Sequence, residues 1–145
     1  MIQRVVRVLI TLLYLVAGIA HIRDPEPFLR ITPGLVPYPE MVVFLTGVAE
    51  IAGALALAQP FSTRLRRAAG IALALYALAV WPANINHMMM DLARADGGWG
   101  LAYHLPRMAA QPLLIIATLW CADSWPFGVR SKKRARCMIH RAPSQ

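Results

Sequence analysis

Residues 67–90 read RAAGIALALYALAVWPANINHMMM. Past Arg67 the segment carries no charged residue, and it exceeds the about 20 helical residues that cross a hydrocarbon core of about 30 Å. Its last third nevertheless holds Pro82, Asn84, Asn86 and His87, polar groups that lipid makes expensive. Three further segments share this character: VVRVLITLLYLVAGIAHI at 5–22, EMVVFLTGVAEIAGALALA at 40–58 and PRMAAQPLLIIATLWCA at 106–122. The last is the shortest and the most polar in its opening turns. Backbone groups in lipid must bond within their own segment, which makes each a helix. The expected fold class is therefore all-α, an integral membrane four-helix bundle.

Composition supports this reading. Of 145 residues, 58% are hydrophobic and 15% charged, and the mean hydropathy is +0.51. A soluble domain has about 45–50% apolar and about 25% charged residues. The net charge of +8 and the pI near 10.5 would suit nucleic acid. The cations, however, sit in short clusters between apolar runs and not along one face, so no nucleic-acid partner is expected. The length fits one domain, with residues 1–122 as the membrane unit and 123–145 as a basic tail around SKKRAR, expected to be disordered.

The cations also predict orientation. One side of the spans carries Arg4, Arg7, Arg64, Arg66, Arg67, Arg130, Lys132, Lys133, Arg134, Arg136 and Arg141, eleven against the four (Arg23, Arg30, Arg94, Arg107) of the other. Positive residues stay inside, which puts both termini in the cytoplasm of a cell with an inner membrane. An even number of spans likewise requires both termini on one side. Arg4 and Arg7 ahead of an apolar run ending in Gly18-Ile19-Ala20 also resemble a signal peptide. The polar pattern of that segment, shared with the other three, argues for a retained helix. Cys121 and Cys137 have no CxxC spacing and fall on the cytoplasmic side, so both are expected to be free thiols.

Between the spans, residues 23–39 (RDPEPFLRITPGLVPYP) contain five prolines and read as a stiff, turn-rich loop. Residues 59–66 read as a short turn, and 91–105, with a Gly-Gly pair and aromatics, as an interfacial loop.

Helical spacing gathers the polar and small residues of each span on one face. Tyr14, Ala17, Gly18 and His21 share a face of the first span, and Thr46, Gly47, Glu50, Gly53 and Ala54 one of the second. Gly70, Ala74, Ala77, Trp81 and Asn84 form a stripe on the third that His87 extends, and Arg107 and Gln111 lie four apart on the fourth. Glu50 lies ten residues past Glu40, about 15 Å down and near mid-membrane. An acid there marks function by default, or else holds helices together as a hydrogen-bonding carboxyl. It is expected to be a protonated acid unless Arg107 or a histidine pairs with it. Asn84 and Gln111 read as interhelical hydrogen-bonders or as ligand contacts, and Arg107 as an interfacial cation or an anion partner. Pro82 should bend the third helix and free a carbonyl. No HxxxH or CxxC spacing supports metal binding by His21 or His87, and Met88, Met89 and Met90 read as flexible packers. No catalytic residue is assigned, for want of a nucleophile–base pair, a phosphate loop or paired carboxylates.

Four stretches together, AGIAHIRDPEPFLRITPGLVPYPE at 17–40, TGVAEIAGALAL at 46–57, WPANINHMMM at 81–90 and LPRMAAQPLLII at 105–116, resemble the DoxX-like family of four-helix bacterial membrane proteins. The resemblance covers nearly all of residues 10–122. It rests on His21 ending the first helix, Pro33 and Pro37 in the loop, Glu50 among small residues, Pro82-Ala83-Asn84, and the Arg107…Gln111 step, where the proline here precedes the arginine. It implies an association with membrane redox systems, including a thiosulfate:quinone oxidoreductase. With no redox cysteine pair in this chain, electron chemistry would belong to a partner protein or a bound quinone. The expectation is an accessory membrane subunit with a polar pocket in the outer half of the bundle, formed by Tyr14, His21, Glu50, Asn84, His87, Arg107 and Gln111. The alternative is a non-catalytic assembly subunit in which these residues only join helices. A proton-coupled transporter is disfavoured because four helices make a narrow pathway.

Overall fold

The computed structural model describes residues 1–123, and these are all-helical, with no strand among them. In chain order the elements are α1 (Ile2–Arg23), α2 (Glu26–Ile31), α3 (Pro39–Ala58), α4 (Thr63–Leu92) and α5 (Gly100–Cys121). By length and composition α1, α3 and α4 could cross a membrane. The fifth helix is 22 residues long, but His104, Pro106, Arg107, Gln111 and Pro112 crowd its first 13 residues and lower its hydropathy. The expected tail, with Cys137, lies outside the described residues.

Punctuation residues set the boundaries. Pro25 follows the last turn of α1, and Pro39 opens α3 at a position where the missing N–H costs nothing. Ser62 caps α4, its hydroxyl accepting the Leu65 N–H at 3.2 Å. Two expectations need correction. Residues 26–31 of the proline-rich connection form a helix, because Pro25 and Pro27 sit at its cap and in its first turn, where they are tolerated, and the other three prolines come after it. The final long helix begins at Gly100 and not at 106. Proline removes one N–H and does not stop a helix that tertiary contacts support, so α5 runs through Pro106 and Pro112, and the interfacial loop shrinks to 93–99.

The four long helices form a closed ring: α1 lies against α3 and α5, and α4 against α3 and α5. Large aliphatic residues point outward, with Leu12 53% and Val16 67% exposed, while Tyr14 on the same helix is only 3% exposed. Apolar outside and polar inside is the arrangement of a helix whose outer solvent is lipid. On the α1–α3 seam, a Cβ on Gly18 would stand 2.7 Å from the Gly47 carbonyl oxygen, and one on Gly47 2.9 Å from that of Gly18. Only glycine lets these backbones meet.

At the end where α1 starts, the interior is filled by Ile10, Ala54, Leu57, Ala69, Leu73 and Cys121, a free thiol. Gln3 Nε2 ties this end shut by donating to the Trp120 carbonyl at 2.8 Å and the Asp123 carboxylate at 2.7 Å. The opposite end is built differently.

Candidate functional site

Toward the end formed by α2 and the 93–99 loop, the ring surrounds a partly open cavity of about 440 Å³. Apolar side chains make most of its wall, among them Val36, Val43, Val80 and Leu114. Into that wall are set Tyr14, His21, Thr46, Glu50, Tyr76, Asn84, Arg107 and Gln111. Six of the seven residues singled out from the sequence thus line one cavity. His87 is the exception: it stands behind Arg107.

Glu50 is 4% exposed. Of the two partners considered for it, the structure supplies the histidine: His21 Nδ1 lies 3.0 Å from Oε2. The same nitrogen is 2.9 Å from the Ala17 carbonyl, one turn back on α1. One N–H faces two acceptors and is aligned with the carbonyl, so Oε2 is left without a hydrogen bond of its own. The Tyr76 hydroxyl is within reach of Glu50 and Thr46. His21 in turn stacks on Phe28 of α2, ring centroids 3.7 Å apart. The short helix therefore acts as a strap over the cavity, and Asn86 of α4 grips it by donating to the Ile31 carbonyl at 2.9 Å.

The other polar wall is a relay between α4 and α5. Arg107 donates from Nη1 to His87 Nδ1 at 2.8 Å and from Nη2 to Asn84 Oδ1 at 2.8 Å. Asn84 donates to Gln111 Oε1 at 3.3 Å, and Gln111 to the Ala77 carbonyl at 2.5 Å. A freed carbonyl was expected from Pro82, and proline deprives the one four residues back, on Leu78. The carbonyl actually used is its neighbour on Ala77. Among the described residues Arg107 is held by neutral acceptors, with its guanidinium also 5.2 Å from the centre of the Tyr103 ring. A fixed cation and a buried carboxyl paired with one histidine thus share one largely apolar chamber.

Residues 10–122 match a domain of unknown function, DUF8561. The chain belongs to that family. No curated protein and no solved structure matches it. The match takes in every helix of the DUF8561 chain that borders the cavity and leaves out the first turns of α1.

Several site residues of this DUF8561 protein escape a reading by sequence. Tyr76 falls in the middle of an apolar run and Phe28 in the proline-rich connection, and nothing local sets either apart. Asp91 and His104, at the end of α4 and the start of α5, meet His87 in space. The four-residue spacing of His87 and Asp91 is the available signal for two of the three, hidden because residue 91 is expected in the loop while α4 runs on to Leu92. His104 comes from the next element, and only the chain reversal at 93–99 brings it over.

Proposed function

We propose that the chain is a multi-pass inner-membrane protein, a transmembrane four-helix bundle with both termini in the cytoplasm, that binds a small ligand with a polar head in its partly open cavity. On this reading α5 is the fourth span, its polar first half turned inward. The observation that carries it is the chamber itself: about 440 Å³, mostly apolar, with the Glu50 carboxyl buried against a single histidine nitrogen that it shares with the Ala17 carbonyl. Ligand pockets have this constitution, apolar walls with a few convergent polar groups. A quinone headgroup suits it, with Arg107 as donor to a carbonyl oxygen and Glu50 as the acid beside the ring. The DoxX-like resemblance favours the same class and a place as accessory subunit to a membrane redox partner.

A second reading is an assembly subunit. It has one observation in its favour: Asn84 and Gln111 satisfy each other and the Ala77 carbonyl, as residues that merely join helices would. Glu50→Gln separates the two, because it keeps shape and hydrogen bonding and removes the ionisable group. The protein and this variant are purified in mild detergent, and bound lipids and quinones are extracted and identified. The cavity reading expects a small amphiphile with the parent protein and its loss from a variant that still folds. Equal extracts from both, with only Glu50→Leu disturbing assembly, would favour the second reading.

A further inference from the structure

Beyond the cavity, where α4 hands over to α5, His87, Asp91 and His104 each offer a ligand atom, and these atoms lie within 4.8 Å of one another. His87 and Asp91 share a face of α4 at four-residue spacing. His104 reaches them from the start of α5 and is fully buried, and Asp91 is 5% exposed. The connection is shaped around the carboxylate. The Trp99 N–H donates to Asp91 Oδ2 at 2.6 Å, and Gly98, at φ 52, rests on the carboxyl so closely that a Cβ would collide with it.

Two facts about His104 point past loop closure. Its Nε2 is 3.0 Å from Asp91 Oδ2, so a proton or a cation must lie between two groups that otherwise face each other with lone pairs. Its Nδ1 is sealed from solvent with no hydrogen-bond partner among the described residues. Buried imidazole nitrogens are ordinarily paired, and with Nδ1 idle the ring's engaged atom is Nε2, the nitrogen turned to Asp91.

We propose that His87, Asp91 and His104 bind a divalent first-row transition ion of the zinc type. Two imidazoles and one carboxylate match that class, whereas magnesium and calcium take sets made of oxygen. Three protein ligands leave a coordination position open. The ion competes with Arg107, because a neutral imidazole has one lone pair and Arg107 takes it at His87 Nδ1. Loading the site therefore releases Arg107 from His87, while its other nitrogen stays on Asn84 in the cavity wall.

Zinc is the probe, titrated into chelator-stripped full chain in mild detergent. The expected result is one equivalent bound. His87→Gln and Asp91→Asn should each weaken binding by at least about 100-fold, the upper end of what losing a mere outer-shell partner costs. Arg107→Gln should tighten it, and Glu50→Gln should leave it unchanged, which keeps this site separable from the cavity ligand. Cobalt in place of zinc reports the donor atoms by its visible spectrum. Uptake unchanged in both ligand variants, a cobalt–thiolate band marking a cysteine, or no uptake by the folded protein would each overturn the assignment. Helix content and monodisperse elution establish folding. If Asp91→Asn does not fold, His87→Gln decides alone, since its side chain is only half-buried and glutamine keeps an acceptor for Arg107.

Discussion

The two ends of the helical ring are made from the same four helices and wear the same aliphatic exterior, yet one is filled and the other hollow. Around Leu57 and Leu73, side chains from all four helices close the interior completely. Around Glu50 and Arg107 they stop short and leave about 440 Å³. Apolar residues were available to fill that space, since many lie spent on the outer surface. What stands there instead is a set of polar groups that hold one another at arm's length, with α2 strapped across. Apolar walls with a few convergent polar groups are the constitution of a ligand pocket. The difference between the ends is therefore what most favours the ligand-binding reading proposed above.

The largest expected effect lies at the filled end. Leu57 has no exposure, and Leu57→Ala should cost about 2–5 kcal/mol of stability, read as a lower midpoint of thermal unfolding in detergent. A loss well below that range would mean the filled end is looser than its burial implies. A sharper comparison adds volume at both ends. Ala54→Leu, in the filled interior, should destabilise by about 1–3 kcal/mol through overpacking. Ala77→Leu, on the cavity wall, should destabilise less and instead displace whatever occupies the chamber, read by extraction of bound amphiphiles. Equal destabilisation by the two would erase the distinction between the ends.

The smallest effect tests whether polarity at the hollow end matters only inside. Asp96 lies in the 93–99 loop, where Arg94 donates to it at 2.9 and 2.8 Å and the Gly98 N–H at 3.1 Å. Arg94 first, then that N–H, holds the carboxyl well below the usual carboxylate range. A depressed folded value means any stabilisation is present above the unfolded carboxyl pKa of about 4 and lost as pH falls below it. Because the pair is fully exposed, Asp96→Asn should leave the unfolding midpoint at pH 7 unmoved within error. A clear shift would show that the loop, and not only the chamber, is electrostatically organised.

How far the sequence could be read follows from which signals are local. Helical periodicity needs only one chain segment, so the inward faces bearing Tyr14, Glu50, Asn84 and Gln111 were visible before any fold was known. Prolines misled in both directions. They hid α2, and they delayed the start of α5, because a proline's effect on a helix depends on what else supports it. His21 could be placed on the same face as Tyr14, but its meeting with Glu50 and its stacking on Phe28 join three separate elements.

Composition and spacing by themselves determined that this chain is helical, apolar outside, and polar along one stripe of each long helix, because those properties repeat within single segments at 3.6 residues per turn. The tertiary structure alone decided that the stripes converge unevenly, packed solid at one end and parted at the other. It also decided that Arg107 goes to His87 and Asn84 while Glu50 goes to His21. Those choices depend on the pairing of helices and on where the two connections fold back, which no single segment encodes.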